Sequence, residues 1–396
     1  MDTAFAPDCP MRCGWTAWLP LLLLVLASSA ALHPAQATAQ DVLQFTPQEI
    51  ERILAHGPWP PPAVRDPSNR VSGNARAVAL GERLFYSPRL SGTGGVLCAS
   101  CHEPWRAYTD GRSRGIGVEP GERNTQSVVN VRLNRWFGWD GANDNLWAQS
   151  IRPLLARHEM RSSAAHVAAL LRGDPELSPL YRAAFGAPLP ANDEALLVDA
   201  GKALAAYLET LVSGRTPFDD FRDALARGDR AAAARYPLRA QRGLRIFVGK
   251  GGCARCHAGA GFSDGAFHRS GIASLRQSGA IDSGREDGIR KLLTSRYNLL
   301  GAFSDERARA SAQRTREAAL EQQTAGAFRT PGLRQVTLTA PYMHDGSLAT
   351  LCELLRRHPA EVALTAEERD DVRAFLDTLT EADARRFAGA DGSACR

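Results

Sequence analysis

The chain has 396 residues, 44% of them hydrophobic and 7% aromatic, with a formal net charge of +5. That length accommodates two domains of ordinary size, and no basic block is dense enough to offer nucleic acid a surface. Nearly all the positive charge is arginine, because Lys202, Lys250 and Lys291 are the only lysines, and planar guanidinium groups suit anionic carboxylates.

Behind Arg12 runs the apolar stretch WTAWLPLLLLVLASSAAL, followed by Ala37-Thr38-Ala39, a small-x-small cleavage pattern. Residues 1–39 therefore read as a secretory signal, with alternative cleavage near Ala30 or Ala31. An uncleaved anchor helix competes, since the run approaches spanning length. Either reading places the folded part in an exported, oxidising compartment, expected to be the periplasm. Next, TPQEIERIL has Thr46 as N-cap, Pro47 at the first helical position and Glu49 three residues on, a capping box. Residues 70–160 are rich in Gly, Pro, Asn and Arg and weakly periodic, which suits irregular chain wrapped around a cofactor. Helical patterns dominate 163–235, with Gly173, Gly214 and Gly228 where helices should end. A second unit opens near Tyr236 with a helix over LRAQRGLRIFV, then loops, a polar helix around Asp305–Gln323, and two closing helices, the last with a Thr365/Glu368 capping box. Strand-like alternation is scarce. The expected fold is mainly α, with an N-terminal domain over 40–235 and a C-terminal domain over 236–396.

Two short patterns carry the chemistry. Cys98-Ala-Ser-Cys101-His102 and Cys253-Ala-Arg-Cys256-His257 both read Cys-x-x-Cys-His, the attachment signature of c-type haem. Two thiols bond to the macrocycle, and the histidine that follows becomes an iron ligand. A redox dithiol does not require the histidines, and zinc-binding cysteine pairs usually sit closer in sequence. Cys9 and Cys13 leave with the signal, so Cys352 and Cys395 remain, either as a disulfide or as separate thiols.

Two haems raise the question of sixth ligands. No His or Met follows the first motif from Glu103 to Ser127, so the first iron is expected to stay open to peroxide. The second motif has His268, Met343, His344 and His358 within the same half of the chain, so the second iron is expected to be six-coordinate.

At RNTQSVVNVRLNRWFGWDGANDNLWAQSIRPLLARHEM (123–160) and GAFRTPGLRQVTLTAPYMHDGSLATL (326–351) the sequence resembles the bacterial di-haem cytochrome c peroxidase family, especially its MauG branch. The resemblance implies two cytochrome c-like domains, each with one covalent haem, and a reaction with hydrogen peroxide. It implies that His102 is the proximal ligand of the peroxidatic haem, that Glu159 moves the peroxide proton with Gln149 beside it, and that Trp139 lies between the haems. Asn124, with the Thr339 and Pro341 carbonyls, resembles the family's calcium site, and such oxygen ligands suit calcium. Arg329 and His344 resemble the pair flanking the second haem. The implied partners are a small periplasmic electron donor (a cytochrome c or cupredoxin) or a protein substrate, and a homodimer is compatible with the family. A carboxylate such as Glu159 serves as acid and base if burial raises its pKa.

Three departures stand out. The peroxidase branch has a removable histidine in the loop after the first motif, and this chain has none. Fourteen residues after His344, where the family places an axial Met or Tyr, stands His358; Met343 and His268 are the competing ligands. Ala142 replaces an Arg common after the WDG sequence. These features favour a di-haem peroxidase, with oxidation of Trp or Tyr in a partner protein as the first alternative and a non-catalytic electron-transfer cytochrome as the second. A haem sensor without turnover is a third class.

Overall fold

A computed structural model describes residues 43–272, 275–276, 279–318, 325–384 and 395. The expected signal segment, 1–39, lies outside the described residues. Thirteen α-helices occur among them, and the strands are a single antiparallel pair, β1 (Phe267–His268) and β2 (Phe328–Arg329), with Phe267 opposite Arg329. The mainly α expectation holds.

The first core is built around α6 (Asp193–Leu208), whose residues from Leu196 to Leu208 are all buried. Against it pack α2 (Ala75–Phe85), α3 (Leu146–Leu155) and α4 (Ala164–Gly173), with α5 (Leu177–Phe185) beside them. Gly81 makes the α2–α6 crossing possible: a Cβ there would lie 2.0 Å from the Ala203 carbonyl oxygen. Asn145 and Ser163 cap α3 and α4 through their side chains. α6 was expected to run to Gly214 but ends at Leu208. Tertiary bonds draw the following chain out of the helix, because the Asn130 amide donates to the Leu211 carbonyl (2.7 Å) and the Trp59 indole to the Ser213 carbonyl (3.0 Å).

The second core gathers α1 (Pro47–Leu54), α7 (Pro217–Arg227), α8 (Arg230–Ala233), α9 (Leu238–Val248), α12 (Leu351–Arg357) and α13 (Ala366–Asp377). Phe218, Phe247, Phe262 and Phe375 form its aromatic centre. The α9–α13 crossing repeats the device of the first core, since a Cβ on Gly243 would lie 1.9 Å from the Asp371 carbonyl oxygen. Both expected capping boxes, at Thr46/Glu49 and Thr365/Glu368, are formed. Gly228 ends α7 with φ 68°. Ile53 and Phe218 sit in this core although they precede Tyr236. α10 (Arg285–Thr294) and α11 (Gln313–Ala318) pack on each other and belong to neither core. The latter is shorter than the polar helix expected over Asp305–Gln323, because the Asp305 carboxylate is taken by the buried Lys202 (2.6 Å) and by Arg70; residues 319–323 lie outside the described ones. Cys352 and Cys395 form a disulfide, Cα to Cα 4.9 Å. No helix among the described residues is long and apolar enough to cross a membrane.

Candidate functional site: two Cys-x-x-Cys-His motifs

Each motif is a single 3-10 turn, Cys98–Ser100 and Cys253–Arg255, which ends as the histidine begins. The two histidines are held alike. His102 Nδ1 donates to the Tyr108 carbonyl (3.0 Å) and His257 Nδ1 to the Phe262 carbonyl (3.1 Å). A carbonyl only accepts, so in each ring Nδ1 carries the proton and Nε2 keeps its lone pair for a metal. Burial lowers the pKa of His102. Burial, together with the neighbouring His358, brings His257 down to about 4. Both imidazoles are therefore neutral at pH 7, as a metal ligand must be.

The four thiols are not joined to one another. Burial pushes Cys98 up to about 12 and Cys101 and Cys253 up to about 11. A reactive dithiol needs a depressed pKa, so burial here works against a redox dithiol. A shared four-cysteine zinc site is not formed: among the described residues the four motif cysteines do not gather into one ligand group, and Cys256 lies instead with Asp264 and His268.

Beside the first motif lies a cavity of about 360 Å³. Its wall includes Cys98, Cys101 and His102 and the expected Gln149, Glu159 and Trp139. Glu159 is bound by Arg152 through two hydrogen bonds, 2.6 and 3.1 Å, with His158 Nε2 at 3.3 Å. Burial alone would raise the Glu159 pKa, but the charge of Arg152 and the hydrogen bonds from His158 and Arg152 outweigh it and hold the carboxyl at about 2. The condition that burial raises this pKa is thus not met. Gln149 accepts from the Asn143 side chain (2.8 Å).

Arg152 and Gln126 of this cavity escaped the sequence reading. Arg152 is seven positions from Glu159 and belongs to α3, while Glu159 follows its end, so no helical spacing linked them. His158 and Met160 also line the cavity, and Met160 is buried in the first core. Gln126 places a buried, partnerless Nε2 on the same wall. Arg329 lines this cavity as well. It donates to the Asn134 side chain (3.2 Å) and the Gly138 and Thr330 carbonyls, and burial depresses its pKa to about 10. No carboxylate pairs with it among the described residues. A buried guanidinium and an orphaned amide N–H fit the carboxylates of a haem.

Trp139 joins this cavity to the C-terminal half. Its indole N–H donates to the Asn124 carbonyl (2.9 Å), and its ring stands 6.4 Å from that of His344 at 70°. His344 is buried and stacked on Phe328, 3.6 Å between centroids. The Asn124 amide donates to the His344 carbonyl (2.9 Å), which brings Asn124 beside the loop carrying Thr339 and Pro341. The Asn124 side-chain nitrogen donates to the Arg112 carbonyl (2.8 Å), leaving Oδ1 as the atom free to bind a cation. At the WDGA turn, where Ala142 replaces an Arg, the buried Arg285 donates to the Gly141 carbonyl (2.9 Å) and lies between Trp136 and Phe267.

Of the competing second ligands, His358 has its ring centroid 6.3 Å from that of His257. That separation admits one metal ion at about 2 Å from each nitrogen. His358 Nδ1 donates to the Pro359 carbonyl (3.1 Å), again freeing Nε2. His268 instead bonds Asp264 (2.7 Å) at the surface. Met343 packs at the edge of the second core. His56 is buried against Phe262, with Nδ1 bonded to the Gly259 carbonyl.

A family model described as di-haem cytochrome c peroxidase matches residues 75–227. The chain is 32% identical over 373 residues to the methylamine utilization protein MauG of Methylorubrum extorquens, covering 90% of this chain and 92% of that protein. It is also 32% identical over 377 residues to the cytochrome-c peroxidase IdrP1 of Denitromonas iodatirespirans, again 90% and 92%. Among solved structures, a MauG-like protein associated with microbial copper homeostasis superposes with TM-score 0.60 at 27% identity, over 84% of this chain and 98% of that one.

Proposed function

Because the chain belongs to the di-haem cytochrome c peroxidase family and is an oxidoreductase acting on peroxide, we propose that hydrogen peroxide reacts in the cavity beside His102, in the periplasm, and that electrons reach it through the C-terminal half. Family membership implies two c-type haems, which when bound supply the redox-active iron for reducing peroxide to water. Cys98 and Cys101 attach one, with His102 as ligand; Cys253 and Cys256 attach the other, with His257 and His358 as ligands. The carrying observation is that Glu159, Arg152 and Gln149 share one cavity with His102.

Glu159 is ionised at neutral pH, the form that takes a proton from peroxide and returns it to the departing oxygen, but the Arg152 pair makes it a weak base, so its proton transfer depends on that pair loosening. Arg152 fixes the carboxylate and keeps it charged. Gln149, whose Oε1 is held by Asn143, would offer its amide N–H to peroxide in the cavity. Arg329 and the Gln126 N–H bind haem carboxylates. Trp139 relays electrons from the second motif and His344 toward this cavity. Asn124 Oδ1 and the Thr339 and Pro341 carbonyls are the oxygens that would hold a calcium ion. In this reading the first core and motif carry the peroxide-reactive half expected over 40–235, and the second core and motif the electron-transfer half expected over 236–396, with α1, α7 and α8 packed in the second core.

One observation favours a second reading. The similarity to MauG spans the chain, and no histidine occurs in the loop from Glu103 to Ser127, so in this reading the oxidising equivalents serve a Trp or Tyr of a partner protein. Steady-state turnover of peroxide with a reduced small cytochrome c or cupredoxin separates the two: rapid oxidation of the donor supports the peroxidase, and peroxide consumption without donor oxidation supports the protein-oxidising reading.

A further inference from the structure

A chain of aromatic rings leads from His102 to the protein surface without passing through Trp139. Phe85, buried at the end of α2, has its centroid 6.4 Å from the His102 ring, 6.1 Å from Tyr108, 5.3 Å from Tyr207 and 5.1 Å from Tyr86. The Tyr207 hydroxyl donates to the Tyr86 hydroxyl at 3.4 Å. Tyr207 is 5% exposed and Tyr86 40%. A core designed for packing alone would carry Phe at 207, since a buried hydroxyl costs desolvation that only its hydrogen bond offsets. Tyr86 also borders a second cavity of about 360 Å³, whose wall includes Arg83, Arg89, Asp174 and Glu176. Arg83 pairs with Glu176 and Arg89 with Asp174, so the charges of this cavity cancel. Its size falls in the range of small-molecule sites, and its neutral, polar wall suits an uncharged hydroxylated ring better than an ion.

We infer that Tyr86 is a surface oxidation site, reached from the first motif across Phe85 and through Tyr108 and Tyr207, both packed on Phe85, at which a small phenol seated in the adjoining cavity is oxidised. Electron transfer weakens steeply with distance, so several short ring-to-ring steps outpace one long one. Tyr86 loses one electron inward along the rings and its hydroxyl proton to water. The phenol then gives a hydrogen atom, electron and proton together, to the Tyr86 phenoxyl and restores it. Two such turns supply two electrons, and the solvent returns two protons, so one hydrogen peroxide becomes two waters and two phenols become two phenoxyl radicals. Tyr86 contacts the substrate; Tyr108 and Tyr207, whose phenols can be oxidised, carry the electron, and Phe85, which cannot, only bridges the space between them and His102. The inference rests on the reading that peroxide reacts beside His102.

The test uses the haem-loaded protein, hydrogen peroxide and the spin trap 2-methyl-2-nitrosopropane. Adducts are mapped by peptide mass spectrometry, and peroxide loss is measured in the same sample. The expected result is peroxide loss with an adduct on Tyr86, absent from Tyr86→Phe, reduced severalfold in Tyr207→Phe, and cut about tenfold by p-cresol, a difference of about 1.4 kcal/mol in competing barriers. Peroxide loss with adducts elsewhere and Tyr86 untouched overturns the inference and leaves the peroxidase reading standing. An adduct on Tyr86 whose yield is unchanged in Tyr207→Phe overturns the relay, and one that p-cresol does not suppress overturns the phenol site. No peroxide loss overturns the underlying reading and this inference with it.

Discussion

His257 and His358 face each other with ring centroids 6.3 Å apart and planes inclined at 50°. Each donates Nδ1 to a backbone carbonyl, of Phe262 and Pro359, so both Nε2 atoms are left for one iron. In the haem-loaded protein, His358→Ala is expected to convert the second iron from low-spin to high-spin. His358→Met is expected to keep it low-spin and raise its potential, since Met/His ligation favours the reduced iron relative to two imidazoles. Electron paramagnetic resonance and a potentiometric titration read both effects. An unaltered low-spin signal in His358→Ala would assign the ligand elsewhere.

Glu159 sits under the control of Arg152. Replacing it with Gln keeps the size and removes the proton acceptor, so the rate of reaction with peroxide should fall by about 10²–10⁴. Because the carboxyl is held at about 2, it stays ionised through the pH range of stable protein and contributes no limb to the pH–rate profile above pH 4. Arg152→Gln leaves burial to dominate and raises the pKa. The profile then gains an acid limb, with the rate dropping as pH falls through it. Stopped-flow rates across pH 4–8 in both variants check this, and a wild-type limb in the carboxylate range would contradict it.

The cysteine motifs, both capping boxes and the mainly helical fold were legible in the sequence because each depends on residues a few positions apart. Glu159, Gln149 and Trp139 were found through the family resemblance, and the cavity brings them together with His102. Arg152 was not legible, because its partnership with Glu159 spans a helix end and a turn. The same holds for α6, whose last expected turn is undone by bonds from Asn130 and Trp59, far away in sequence. The histidine choice at the second motif was left open by spacing alone. It narrowed when the fold tied His268 to Asp264 and set His358 beside His257.

Arg123 bridges Asp140 (2.8 Å) and Asp282 (2.7 Å), and Arg276 reaches Asp282 from another side (3.1 Å). Burial would raise both carboxyl pKa values, but Arg123 prevails and holds them below the usual range. Their stabilisation is present above the unfolded-state value of about 3.9 and is lost as pH falls through the lower folded-state values. Melting temperature should therefore drop progressively below about pH 4. Asp282→Asn, which leaves two guanidinium groups short of a charge, should cost about 3 kcal/mol at pH 7 and flatten this acid dependence. An unchanged acid profile in Asp282→Asn would place the titrating groups elsewhere.

The Cys352–Cys395 disulfide closes a 43-residue separation that contains His358 and α13. The Cys395 amide also donates to Asp370 (2.7 Å). Cys395→Ser should destabilise the fold by about 2–4 kcal/mol through the freed unfolded chain. Because α12, which carries Cys352, leads directly to His358, reduction should also broaden the low-spin signal of the second iron. Denaturant titration and the spectrum, with and without reductant, check the two effects separately.

The central claim is that the iron beside His102 is open to peroxide while the iron beside His257 is closed by His358. Low-temperature electron paramagnetic resonance of the haem-loaded protein, before and after one equivalent of hydrogen peroxide, tests it most directly. One high-spin and one low-spin ferric signal, both lost on adding peroxide, is the expected result. Two low-spin signals that peroxide leaves unmoved would contradict it and leave an electron-transfer cytochrome.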